Sequence, residues 1–215
     1  MIILYDFFRS SACYRVRIAL NLKGLPYHAV DISLTNGAQR DQAYMDKNPQ
    51  GFVPMLEVDG LRLTQSIAII EWLDSYQPEP RFIPAEPSDR ARQMACALMI
   101  ACDIHPLNNL RVLKYLSAEL NVAEAARDDW YRHWVGEGLA ALEVVAKTGA
   151  EPAMPFLGGN APGIADICLV PQMFNARRFN APLDNYPNLV RIDAACTRLD
   201  PFKAAHPDVV QTLAV

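Results

Sequence analysis

Ser10 and Ser11 stand where an apolar run, Ile2-Ile3-Leu4-Tyr5, has ended and a helical pattern, Ala12 to Leu20, begins. A strand that runs into a hydroxyl-bearing loop and then a helix brings those hydroxyls to the positive end of the helix, where first-turn N–H groups lack intrahelical partners. Such a place favours an anion. A thiolate is the anion with most chemistry to offer, because the charged form of a thiol is the nucleophile. A plain N-cap accounts for either serine equally well. A second such place is Thr64-Gln65-Ser66, which opens a helix from Ile67 to Tyr76. Donors at that N-terminus suit a carboxylate, and there too Ser66 fits an ordinary cap. Between the two lies Val53-Pro54. A proline cannot sit inside a ladder, and a cis bond there would turn the Val53 backbone outward to pair with an extended ligand.

Farther on, His105 and Asn109 flank Pro106 four residues apart, with Arg111 beyond them. On a helix the pair shares one face, and the proline predicts a kink. Five cysteines, Cys13, Cys96, Cys102, Cys168 and Cys196, are scattered, with no Cys-x-x-Cys pair. They indicate neither a metal site nor a disulfide framework and suit a reducing compartment. Cys13 reads as a small packed residue inside the first helix. Trp130, Trp134, Phe174 and Phe179 read as helix-packing residues.

The elements that must position these groups follow from periodicity and turn chemistry. A strand at Ile2 to Tyr5 leads to an amphipathic helix from about Ala12 to Lys23, stopped by Gly24, and then to a parallel strand at Tyr27 to Ile32. A weak helix covers Gln39 to Asp46, and Asp59-Gly60 between two apolar segments predicts a hairpin. Pro78, Pro80, Pro84 and Pro87 mark a linker with a domain boundary inside it. This predicts a βαβ-ββα domain over residues 1–80 and an all-helical one over 88–215. In the second, Ser88-Asp89 caps a long helical run to about Leu120, and another runs from about Val122 to Lys147. After a loop with Gly149, Pro152, Pro155, Gly158, Gly159, Pro162 and Gly163 come helices from about Ile164 to Arg178 and Leu189 to Leu199.

The 215 residues are 51% hydrophobic and carry a net charge of -4, enough apolar surface for a proper core and too little basic charge for a general nucleic-acid binder. No apolar run reaches bilayer-spanning length, and Met1-Ile2-Ile3-Leu4-Tyr5-Asp6 has no basic leader. The expectation is a cytoplasmic protein without nucleic-acid or membrane partners.

This order of elements, with a hydroxyl at the first helix, Val53-Pro54 before a hairpin and Gln65-Ser66 at a helix start, resembles a glutathione transferase. The segment Arg9-Ser10-Ser11-x-x-x-Arg15-Val16-Arg17-Ile18-Ala19-Leu20 is similar to the signature of the zeta class. Further matches are Asn48-Pro49, Gln65-Ser66-x-Ala68-Ile69-Ile70-Glu71, Pro106-Leu107-x-Asn109-Leu110, Ala165-Asp166-x-Cys168-Leu169-Val170-Pro171-Gln172 and Arg178-Phe179. The chain departs from the pattern at Ala12, where cysteine is familiar, at Tyr14, where Trp is usual, and at Gly163, where Ser or Thr normally caps a helix. Many animal members carry Gln where this chain has His105; the bacterial maleylpyruvate isomerases resemble the stretch through Arg111 more closely.

The resemblance implies a thioredoxin-like first domain, a helical second domain and a homodimer, with Asp166 a buried residue bonded to nearby backbone and not a catalytic one. It implies glutathione as cofactor, with Ser10 stabilising its thiolate and Ser11 as neighbour. Val53 before cis-Pro54 would pair with its backbone, Gln65 and Ser66 would hold its γ-glutamyl carboxylate, and Gln39 would reach its glycyl end. Arg9 and Arg178 match arginines near an acidic substrate, where a guanidinium fork suits a carboxylate; His105, Asn109 and Arg111 are further substrate-facing candidates. The implied reaction is cis–trans isomerisation of a maleyl keto acid, maleylacetoacetate or maleylpyruvate, by reversible thiolate addition. A general glutathione transferase or dehalogenase, a non-catalytic module of the same fold and a thiol oxidoreductase are the rivals.

Overall fold

Strand β1 (Ile2–Asp6) lies in the middle of a four-stranded sheet ordered β2-β1-β3-β4, with β2 at His28–Asp31, β3 at Met55–Val58 and β4 at Leu61–Thr64. β1 runs parallel to β2 and antiparallel to β3, which is antiparallel to β4. Leu4, Met55 and Leu56 on the two central strands are wholly buried. The Asp59-Gly60 turn takes φ of +49° and +89°, the left-handed pair that a two-residue hairpin uses. In this computed structural model residues 1–148 and 154–213 are described; Gly149 and Pro152, placed by sequence in a loop, lie outside the described residues.

Three helices complete this first part: α1 (Ser11–Leu22), the short α2 (Gln42–Met45) after a 3-10 turn at Ala38–Arg40, and α3 (Ser66–Tyr76). The α1 pattern reads as amphipathic, yet the helix buries residues on every side, Arg15 and Arg17 included. The cause lies far along the chain. α1 packs against α3 and also against a C-terminal helix that sequence reading missed, α9 (Asp200–Ala204). Phe202 and Ala205 are wholly buried, and Asn21 donates to the Pro201 carbonyl at 3.0 Å. The chain accordingly divides into one compact unit of Met1–Arg81 with Arg198–Val215 and another of Phe82–Thr197. The expected helical domain over 88–215 is thus corrected at its end, because the segment from Arg198 packs with the first unit. Lys23 is buried as well, its Nζ meeting Asp74 at 2.8 Å and the Pro80 carbonyl at 2.6 Å.

The second unit is helical. α4 (Pro87–Leu98) is capped by Glu86, whose carboxylate accepts from the Asp89 N–H at 2.7 Å, rather than by Ser88-Asp89, with Pro87 at the first helical position. The long run predicted to about Leu120 is broken. α4 passes into a π-helix at Met99–Ile104, closed by the His105 N–H on the Ile100 carbonyl at 2.9 Å, and a turn follows before α5 (Leu110–Ala118). Pro106 has no N–H and its ring clashes with the carbonyl four residues back, so the chain widens and stops where a mere kink was expected. α6 spans Glu124–Thr148 and α7 spans Ile164–Arg178. α8 (Pro187–Cys196) ends before the Leu199 expected, and α10 (Pro207–Leu213) closes the chain. Among the described residues no helix is long and apolar enough to cross a membrane.

Candidate active site

Strand register gathers the candidate groups of the first unit. Tyr5 pairs with Met55 and Met55 with Thr64, so the exit of β1, the entry to β3 and the exit of β4 share one end of the sheet. From that end the chain continues into the Ser10 loop, back to Val53-Pro54 and on to Gln65-Ser66. Ser10 is the N-cap of α1, its Oγ accepting from the Cys13 N–H at 3.3 Å. A hydroxyl that accepts through a lone pair still has its proton to donate, so capping and anion binding are compatible here. Ser11 is the first helical residue and is buried. Arg9 is exposed, its guanidinium 4.9 Å from the Phe8 ring centre.

The Val53-Pro54 bond is cis. Gln65 takes the N-cap position of α3 at φ +68°, an uncommon conformation for a residue with a side chain, and its Nε2 donates to Gln50 Oε1 at 2.7 Å. Ser66 is therefore the first helical residue and not the N-cap that its local sequence suggests. Its Oγ accepts from Arg15 Nη1 at 3.2 Å. Arg15, which sequence reading passed over, thus ties α1 to the start of α3. The signal for it was a charge inside an otherwise apolar helical stretch. Gln39 lies in the 3-10 turn, and its Oε1 is buried without a hydrogen-bond partner. Its carbonyl crowds Gly51, two residues before Val53. Gln50 carries no comparable signal in the sequence.

Cys13 sits among Tyr5, Phe7, Tyr44, Val53 and Met55. Burial, with Asp6 adding to it, pushes its thiol well above the usual range, which makes it a poor nucleophile. Cys102 is exposed while Cys13, Cys96, Cys168 and Cys196 are buried. A chromogenic disulfide reagent should therefore titrate a single fast thiol in the native protein and four more only on unfolding; a second fast thiol would contradict the burial of one of those four.

The second unit holds the remaining candidates. His105 and Asn109 do not share a helical face, because His105 ends the π-helix and Asn109 is the N-cap of α5. They meet across the turn, Nδ2 to Nε2 at 3.4 Å, while Asn109 Oδ1 accepts from the Arg111 N–H at 3.1 Å. Arg111 is exposed on the first turn of α5. The turn is tied to α6 by Trp130 Nε1 on the Leu107 carbonyl at 2.9 Å and by Asn108 Nδ2 on the Tyr131 carbonyl at 3.4 Å. Tyr131 in turn stacks on Phe179, ring centres 3.7 Å apart. Arg178, exposed in the last turn of α7, lies 5.3 Å from the Phe179 ring centre. Its cation opposes the burial that pushes the Tyr131 hydroxyl up. The α6 aromatics thus link Arg178 to the His105 turn.

Asp166, on the first turn of α7, accepts from the N–H groups of Leu157, Gly158 and Gly163 at 2.8, 2.8 and 2.9 Å. Burial pushes its carboxyl up to about 6 against the pull of those donors. As the resemblance implied, this is a backbone-binding carboxylate. Among the described residues no group of three or more His, Cys, Asp or Glu could hold a metal ion.

Residues 9–75 match the family model for the glutathione S-transferase N-terminal domain. The chain is 48% identical to the maleylacetoacetate isomerase of Rhizobium meliloti, over 96% of each chain. Its fold matches a holo structure of maleyl pyruvate isomerase, a bacterial zeta-class glutathione transferase, with TM-score 0.94 and 40% identity over 96% of this chain and 97% of that one. It also matches a maleylacetoacetate isomerase from Anaeromyxobacter dehalogenans crystallised with bound glutathione, with TM-score 0.86 and 41% identity over 97% and 96% of the two chains. Likeness of this degree, reaching from the Ser10 loop through the last helices, shows that the chain belongs to the zeta-class glutathione transferases.

Proposed function

We propose that this enzyme is a glutathione-dependent cis–trans isomerase that converts maleylacetoacetate to fumarylacetoacetate. The observation that carries the reading is the strand register, which brings Ser10, Val53-Pro54 and Gln65-Ser66 to one end of the sheet. The donor set fits glutathione. The Ser10 hydroxyl and the start of α1 suit a thiolate, the start of α3 suits a carboxylate, and the orphaned Gln39 Oε1 suits a peptide N–H. Val53 supplies backbone for pairing with a peptide. Bound glutathione would supply a thiolate nucleophile able to add reversibly to the substrate's double bond.

The chain's own residues do the rest. Ser10 donates to the thiolate and so favours the charged form. Ser11 is its neighbour on the first turn of α1. Arg9 and Arg178 bind carboxylates and stabilise negative charge that develops on the keto acid. His105, Asn109 and Arg111 select the acid's far end. The first unit binds glutathione and the helical unit the acidic substrate, in a cytoplasmic homodimer. A second reading, maleylpyruvate as substrate, is favoured by the fold likeness to a maleyl pyruvate isomerase.

The test is loss of substrate absorbance with maleylacetoacetate and with maleylpyruvate, each with and without glutathione. Turnover of one of them only when glutathione is present is expected. Arg178→Ala should raise KM for the acid about 10-fold to 100-fold, the worth of a hydrogen bond to a charged group, with glutathione affinity unchanged. Turnover of neither acid, by a protein that still binds glutathione, would leave the general transferase or the non-catalytic module.

A further inference from the structure

Arg17 is wholly buried in the middle of α1, and its guanidinium joins acceptors on three residues from two distant stretches of the first unit. Nη1 meets both carboxylate oxygens of Asp6, at the end of β1, at 2.7 and 3.0 Å. Nη2 donates to the Phe8 carbonyl at 2.8 Å, and Nε donates to the Ala205 carbonyl, just past α9, at 3.1 Å. Stability alone is a weak reason for such a group, because well-packed apolar residues often serve as well as a buried ion pair. A planar fork of five donors does what no apolar side chain can, which is to set several acceptors in one geometry.

The acceptors chosen here frame the loop that carries the chemistry. Asp6 precedes that loop, Phe8 lies two residues before Ser10, and the Ser10 N–H itself closes back on the Phe7 carbonyl at 2.9 Å. The Ser10 side chain accepts from the Cys13 N–H and also meets the Cys13 thiol, so the direction of its hydroxyl depends on where the loop delivers the residue. We propose that Arg17 is a positioning residue for the thiolate site, setting the Phe7–Ser10 loop so that the Ser10 hydroxyl is aimed at the sulfur. This rests on Ser10 being the thiolate-stabilising group.

The test is the pH titration of the ultraviolet thiolate absorbance of enzyme-bound glutathione, in the wild type, Arg17→Lys, Ser10→Ala and the double variant. Lysine keeps the positive charge but loses the fork, so a shift reports geometry rather than charge. Arg17→Lys should raise the thiol pKa by about one unit. The same change should add nothing in the Ser10→Ala background, because two residues acting through one group are not additive. A folded Arg17→Lys enzyme with the wild-type thiol pKa would overturn the proposal, as would an undiminished shift in the Ser10→Ala background. A wild-type pKa in Ser10→Ala alone would overturn the reading of Ser10 itself, and the proposal with it. Should Arg17→Lys not fold, Asp6→Asn keeps the guanidinium while weakening its anchor. A smaller rise is then expected, and no rise overturns the proposal.

Discussion

Ser10→Ala should lower glutathione-dependent turnover about 100-fold, the usual cost of removing one donor aimed at a reacting anion. The same change removes the N-cap of α1, because Ser10 Oγ accepts from the Cys13 N–H. Loss of a cap costs about 1 kcal/mol, and in a chain of this size that lowers the melting temperature by about 2–4 °C. The two consequences are therefore separable. A purely structural serine would lose a few degrees and keep its kcat at saturating glutathione; a thiolate-stabilising serine loses kcat by orders of magnitude. Ser10→Thr should retain most of both, since it keeps the hydroxyl. A Ser10→Ala enzyme with wild-type kcat, melting a few degrees early, would reduce Ser10 to a cap.

Asp166→Ala should unfold the protein far more readily while touching no chemistry. Its two oxygens serve three backbone donors, from Leu157, Gly158 and Gly163, and its residue is wholly buried. The Gly163 bond is one half of a capping box. The other half is missing because a glycine has no side chain to return the bond. The loop cannot easily rearrange to find other acceptors. A Cβ at Gly158 would come within 2.6 Å of the Ala161 carbonyl, which shows how tightly the chain doubles back. Gln93 Nε2 holds the Leu157 carbonyl from α4, so the same loop is tied from a second side. Leaving buried donors unpaired costs about 1–3 kcal/mol each, so a loss of about 3 kcal/mol or more is expected, some 6–12 °C in melting temperature. Asp166→Asn should fall between, because an amide offers one accepting oxygen where the carboxylate offers two. Thermal melts and hydrogen exchange at Leu157, Gly158 and Gly163 check this. Lost turnover with an unchanged melt would mean that Asp166 acts in the chemistry after all.

These residues mark where sequence reading succeeds. Asp59-Gly60 between apolar segments, Gly24 after the first helix and the Ile164 to Arg178 helix all rest on short-range rules, while the place of Asp166 came from the family resemblance. Capping, turn and periodicity preferences act within a few residues of their cause. The Ser10 loop was legible for the same reason, and the zeta-class motif names its neighbours. Other readings failed where the residue pattern does not show which conformation the chain takes or what packs against it. The first helix looks amphipathic until α3 and α9 cover it, with Arg15 bonded to Ser66 and Arg17 to the Ala205 carbonyl. Ser66 looks like a cap until Gln65 takes that place and Arg15 engages the hydroxyl. His105 and Asn109 look like one helical face until Pro106 turns the helix into a π-segment and a turn. The segment from Arg198 looks like part of the helical domain until Phe202 and Ala205 bury themselves in the first unit.

By itself the sequence determined the order of the elements, the identity of the candidate groups and the kind of anion each helix start would favour, since those follow from residue type and local spacing. The tertiary structure alone decided which of the chain's charges are buried, what holds the Ser10 loop in place and which unit takes the C-terminal segment. Those depend on which surfaces meet across nearly two hundred residues, as Arg17 and Ala205 do, and hydrogen bonds and burial at that range leave no trace in local periodicity.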